Sequence, residues 1–243
     1  MPLKTVNGKH SGPRKGGGAG INPEGRFEKV ARESYDDGWD RQEGDLPPLK
    51  THVTEERVKS IISRNDSPDI GFSRSINAYW GCEVGCPYCF ARPSHAYRNL
   101  SPGIDWETRL TAKVNAAQLL REELSRPKYR CELIAMGTNT DPYQPIERKY
   151  QITRQILEVC AEFNQPVGIV TKNAMVERDI DILAPMAKKN LASVFISCNN
   201  LDHDVARYME PRASARTRRL QAMKALSDAG IPVGVLVAPV IPF

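Results

Sequence analysis

From about residue 75 onward, apolar and polar positions alternate between two rhythms. Short apolar runs at 75–79 (SINAY), 132–137 (ELIAMG), 166–171 (PVGIVT), 193–197 (SVFIS) and 232–240 (PVGVLVAPV) read as buried strands. Between them, apolar residues recur at three- and four-residue steps. Leu110, Val114, Ala117, Leu120 and Leu124 predict a helix over 108–125. Ile156, Leu157, Cys160 and Phe163 predict one over 153–163, and Ile180, Leu183 and Met186 one over 176–189. Leu220, Met223 and Leu226 predict a last helix over 216–229, stopped by Gly230. Continuous apolar strands, each followed by a helix, predict an α/β fold with a parallel sheet covered by helices. Right-handed crossovers make it an open sheet or part of a barrel, with functional groups at the C-terminal strand ends.

Before residue 60 the rhythm is absent. Gly and Pro are frequent (RKGGGAG, DLPPLK), so residues 1–60 read as a mostly irregular N-terminal tail and 61–243 as the core domain. Within that tail a short helix is expected from Thr54, with Val58, Ile61 and Ile62 on one face, ending at Asn65-Asp66-Ser67-Pro68.

Composition changes this picture little. The chain has 243 residues and a formal net charge of +5, and 26% of its residues are charged. Residues 1–30 hold six basic and two acidic residues, so most of the excess charge lies in the tail. A basic face for nucleic acid is therefore not visible in the total charge. No apolar run reaches the ~20 residues that a bilayer demands. The N-terminus lacks an apolar signal-peptide core, so a cytoplasmic location without a membrane partner is expected.

Six cysteines are too few for a disulfide scaffold at this length. Three cluster in Cys82-Glu83-Val84-Gly85-Cys86-Pro87-Tyr88-Cys89, directly after the first strand of the array. Gly81, Gly85 and Pro87 make this segment a loop on which three thiolates can converge. Zinc prefers four ligands and no second CxxC is present, so a zinc site would need His95 as its fourth. Three thiolates on a [4Fe–4S] cluster would leave one iron open. Cys131 and Cys160 read as packing residues, and Cys198 ends the fourth strand.

CEVGCPYC resembles the CxxxCxxC motif of the radical S-adenosylmethionine (SAM) superfamily, with an aromatic residue, Tyr88, before the third cysteine. NDSPDIGFSRSINAYWGCEVGCPYCFARPSHAY and GTNTDPYQPIE resemble the bacterial branch grouped with spore photoproduct lyase, the DNA repair photolyase-like proteins. Parts of the tail (KGGGAGINPEGRFE) fit that branch too. The resemblance implies a partial (βα)6 TIM-like barrel, with five parallel strands present. It implies that Cys82, Cys86 and Cys89 bind a [4Fe–4S] cluster whose fourth iron takes SAM. Reductive cleavage would then give a 5′-deoxyadenosyl radical that abstracts hydrogen from a substrate, by family analogy nucleic acid. An external reductant such as flavodoxin or ferredoxin is implied. Tyr88 is expected against the adenine, Thr140 and Asp141 near the methionine amino group, and Lys172, Ser197 and Arg212 at the polar groups of SAM.

Relatives of that branch continue beyond the fifth strand, whereas this sequence stops at Phe243, so a C-terminally truncated barrel is expected. The second reading is a fragment that binds a cluster without turning over. Spore photoproduct lyase carries a cysteine hydrogen donor three residues before the aspartate; Thr138 stands there in this chain. A hydroxyl is a far poorer hydrogen-atom donor than a thiol. Incubation with SAM, reductant and the spore-lesion dinucleotide is therefore expected to leave the lesion unrepaired, and efficient clean repair would contradict that expectation.

Overall fold

In this computed structural model the described residues are 17–23, 27 and 50–240. The strands are β1 (His52–Glu56), β2 (Ile62–Arg64), β3 (Arg74–Ile76), β4 (Tyr79–Trp80), β5 (Arg109–Lys113), β6 (Ile134–Met136), β7 (Val167–Thr171), β8 (Ala192–Ser197) and β9 (Val233–Leu236). The helices are α1 (Ile104–Thr108), α2 (Ala116–Leu124), α3 (Glu147–Tyr150), α4 (Ile152–Glu162), α5 (Ile180–Lys188), α6 (His203–Met209) and α7 (Arg216–Asp228). Two 3-10 helices, Arg92–Arg98 and Ala174–Asp179, follow the cysteine loop and β7.

The main sheet has the order β2-β3-β6-β7-β8-β9. β3, β6, β7, β8 and β9 run parallel, and β2 is antiparallel to β3. These are the five parallel strands expected from the apolar runs, in the partial-barrel arrangement. Ile134, Met136, Ile169, Val194 and Ile196 are fully buried where the sheet meets its helices. On α4, Ile156, Leu157 and Cys160 face that core, as their spacing predicts. β9 is an outer strand of the sheet, and Val235 within it and Val237 just after it are exposed. No helix among the described residues is long and apolar enough to cross a membrane.

Four expectations are corrected. The helix from Thr54 is instead a strand, β1, which pairs in parallel with β5 from His52↔Arg109 to Glu56↔Lys113. The helix over 108–125 is only α2; its first part is β5, held between β1 and β4. Leu110 fits the helical stripe with Val114, but Leu110 and Ala112, both buried, share a face only in a strand, and two ladder partners decide for it. On α7 the buried face is Arg219, Ala222 and Leu226, and Leu220 points outward at 47% exposure. Cys131 is exposed rather than packed, because Glu132 and Leu133 beside it also lie outside the short strand β6.

Burial separates two leucines on helices that flank the same sheet. Leu157→Ala is expected to cost about 3 kcal/mol of unfolding free energy, within the usual range for a buried leucine. Leu220→Ala is expected to stay within about 0.5 kcal/mol. Urea unfolding of both variants measures the difference, and equal costs would contradict the assignment of the α7 face.

Candidate cofactor site

The loop between β4 and the first 3-10 helix turns on two glycines in the left-handed region, Gly81 at φ 77° and Gly85 at φ 72°. A Cβ at Gly81 would meet Leu110 Cδ2 at 2.6 Å. The loop is held at several points. The Cys82 N–H donates to the Trp106 carbonyl at 2.9 Å, and the Glu83 N–H to Gln144 Oε1 at 2.9 Å. Gln144 Nε2 returns a bond to the Gly81 carbonyl at 3.2 Å. Beyond the loop, Arg92 donates through Nε to the Cys86 carbonyl at 2.8 Å.

This scaffold buries Cys82 and Cys86 and leaves Cys89 half-buried. Burial pushes the Cys82 thiol well above its ordinary range. The Asp141 carboxylate adds to that shift, and the Asp141 backbone N–H opposes it. Burial also pushes Cys86 up to about 12, against the opposing charge of Lys172. Cys89 raises both neighbours, so the three sulfurs share one electrostatic environment. Three thiols in such a place ionise together only when a cationic centre compensates them. They are soft donors of the kind that iron–sulfur clusters take.

Among the described residues, no three of His, Cys, Asp and Glu converge on a single ion position. A cluster distributes its thiolates over different irons, so it does not require such convergence. Among the described residues, His95 does not join the cysteines at a common ion position. It is fully buried, its Nε2 lies 3.1 Å from both the Asp105 and Arg109 carbonyls, and its ring stands edge-on to Trp106. Desolvation lowers its pKa, which keeps the imidazole neutral and donating to a carbonyl.

The other residues singled out from the sequence fall around this loop. The Tyr88 hydroxyl donates to Glu210 and lies 3.4 Å from Asn199 Nδ2. Lys172 Nζ sits 6.0 Å from the centre of the Tyr88 ring. Asp141 ties two strand ends together: Oδ1 accepts from Tyr143 N at 2.8 Å and Thr171 Oγ1 at 2.7 Å, and Oδ2 from Lys172 N at 2.7 Å. Thr140 is buried, its hydroxyl donating to the Tyr79 carbonyl at 3.3 Å. Ser197 closes β8 with its Oγ buried and without a hydrogen-bond partner, and Asn173 Nδ2 is in the same condition. Arg212 stands on the side of Glu83 and Thr51, at 3.7 and 3.3 Å. Cys198 is buried next to Ser197, its sulfur 3.8 Å from the Asn200 carbonyl.

Several site residues have no local sequence signal. Glu210 pairs with Arg219 at 2.5 Å, and Arg219 also donates to the Ser197 carbonyl at 2.9 Å and the Ser214 carbonyl at 2.7 Å. Asn77 Oδ1 accepts from the Asn139 and Thr140 N–H groups at 3.0 and 3.2 Å and so sets the loop after β6. Arg92 lies in the segment FARPSHAY, but its partner Glu107 is 15 residues away.

An uncharacterized protein of Mycobacterium tuberculosis is 39% identical over 171 residues, which cover 70% of this chain and 50% of that one. An uncharacterized protein of Methanocaldococcus jannaschii is 28% identical over 193 residues, covering 79% of this chain and 69% of that one. The chain spans about half the length of the mycobacterial relatives it matches. Spore photoproduct lyase complexed with dinucleoside spore photoproduct superposes with a TM-score of 0.60 at 17% identity, over 79% of this chain and 52% of that one. A variant of that lyase with bound AdoMet gives 0.54 at 18% identity, with the same coverage. At such identities the structural likeness establishes the fold. Family is decided by sequence: residues 76–243 match the Radical SAM superfamily, and the chain belongs to it.

Proposed function

We propose that this chain is a radical SAM enzyme whose [4Fe–4S] cluster is held by Cys82, Cys86 and Cys89. The observation that carries the reading is two buried thiols and one half-buried thiol on one loop at the C-terminal edge of a parallel sheet, beside Lys172 and the unpartnered Ser197 hydroxyl. When bound, the cluster and SAM supply a one-electron reductive cleavage that releases methionine and a 5′-deoxyadenosyl radical.

The roles we assign to the residues follow from their chemistry. Lys172 is a cation beside the cysteine loop and suits the SAM carboxylate. Asp141 has about four acceptor positions and three donors within the protein, which leaves one for an ammonium group. Tyr88 is held by Glu210, so its ring offers a fixed face for the adenine. Ser197 Oγ supplies a buried polar atom to a ligand that reaches the end of β8. Thr140 acts through its N–H and its bond to Tyr79, shaping the loop around Asp141. Arg212, 3.7 Å from Glu83, would add a second cation for the SAM carboxylate.

Residues 61–243 form the proposed core domain. Electrons come from an external reductant of the flavodoxin or ferredoxin kind. Nucleic acid is the substrate class we propose, on the likeness to a lyase solved with a dinucleoside. Thr138, close to Asn77 at 3.1 Å, stands after β6 and argues for hydrogen-transfer chemistry different from that lyase.

Anaerobic reconstitution with iron and sulfide, followed by dithionite and SAM, tests the reading. The expected product is 5′-deoxyadenosine, abolished by Cys86→Ala. Cluster without product would favour a cluster-binding chain that does not turn over. Bound zinc and no cluster would overturn the proposal.

A further inference from the structure

The glycine-rich stretch near the N-terminus has the composition of a solvated tail, yet residues 17–23 lie against the outside of the cysteine loop. Gly17 is buried. A Cβ at Gly18 would sit 1.7 Å from the Gly85 carbonyl oxygen, so only glycine permits this approach. The contact is matched from the other side: a Cβ at Gly103 would meet the Ile21 carbonyl at 2.1 Å and Pro23 Cδ at 2.6 Å.

Two chains of hydrogen bonds lead from this segment to the cysteines. One begins at Gly18, whose N–H donates to Glu107 Oε2 at 2.9 Å. Glu107 is 1% exposed, and its other oxygen pairs with Arg92. Arg92 in turn donates to the Cys86 carbonyl at 2.8 Å, the Gly85 carbonyl at 3.1 Å and the Gly103 carbonyl at 3.0 Å. The second runs through α1. Its N-cap, Gly103, has no side chain to bond the first N–H groups. Residues some 80 positions earlier do so: the Ile21 carbonyl accepts from Ile104 N at 3.2 Å, and Asn22 Oδ1 from Asp105 N at 3.0 Å. Ser101 Oγ donates to the Pro23 carbonyl. The helix so capped carries Trp106, whose carbonyl holds the Cys82 N–H, and Glu107 itself.

We infer that residues 17–23 are a strap that belongs to the cofactor site: they fix the cysteine loop from outside. The inference rests on the cluster reading above. Groups that orient metal ligands from behind commonly change metal retention by about 10–100-fold when removed. The strap holds the loop at Gly85 and Cys86 through Glu107 and Arg92, and at Cys82 through α1.

The test uses the full chain, with Gly18→Ala and Asn22→Ala against Gly71→Ala, where an added Cβ meets nothing within 4 Å. Two readouts are taken. In cluster-free protein, amide hydrogen exchange is followed over residues 81–91. In reconstituted protein, loss of the cluster absorbance is followed in the presence of a ferrous chelator. Gly18→Ala is expected to accelerate both on the order of tenfold. Asn22→Ala is expected to accelerate both by a smaller factor, and Gly71→Ala to match wild type. Should Gly18→Ala fail to fold, Asn22→Ala decides by the same readouts, because it removes a single hydrogen bond. Wild-type exchange and wild-type cluster loss in both strap variants would overturn the inference, as would faster exchange with unchanged cluster loss. A wild-type protein that takes up no cluster would overturn the cofactor reading instead, with exchange over 81–91 still reporting whether the strap fixes the loop.

Discussion

Arg92 is a buried guanidinium whose donors all point at fixed acceptors, and the cysteine loop depends on where they go. Its Nε and Nη2 bind the Cys86 and Gly85 carbonyls, Nη1 binds the Gly103 carbonyl, and Glu107 balances the charge. A loop with two left-handed glycines has little conformational preference of its own. The pair converts it into one geometry, because a guanidinium cannot deprotonate and its planar fork tolerates few arrangements. Removing either partner would leave a buried charge unmatched, a cost of about 3–5 kcal/mol.

The opposite wall of the site is organised by a second buried arginine. Arg219 joins the end of β8 at Ser197, the 214 carbonyl and Glu210, and Glu210 takes the Tyr88 hydroxyl. Asp141 works the same way between β6 and β7, where its carboxylate gathers Tyr143, Thr171 and Lys172. Parallel strands deliver these residues to one edge of the sheet, and buried charges then set their positions. Both arginines come from segments outside the sheet, which is how loops far apart in sequence acquire a common geometry.

Much of this was legible from local pattern. The strand runs, the α4 face and the CxxxCxxC spacing depend on neighbours within a few residues, and each had a clear periodic or compositional signal. β1 and β5 did not, because their strand character comes from pairing across more than 50 residues. Leu220 and Leu226 both fit a helical stripe, and only the packing of α7 decides that the buried positions are Arg219, Ala222 and Leu226. Arg92, Glu107, Glu210 and Arg219 read as ordinary charged residues until their partners are placed. The stretch 17–23 was hardest to read. Its low apolar content suggests a tail, whereas its glycines matter for the close approach they allow to Gly85 and Gly103.

The most direct measurement is the electron paramagnetic resonance spectrum of the reconstituted, dithionite-reduced full chain, recorded with and without SAM. Ligation by Cys82, Cys86 and Cys89 with one iron left open predicts a spin-half [4Fe–4S] signal whose g values shift when SAM is added. A signal indifferent to SAM, or one that survives replacement of all three cysteines by alanine, would contradict it.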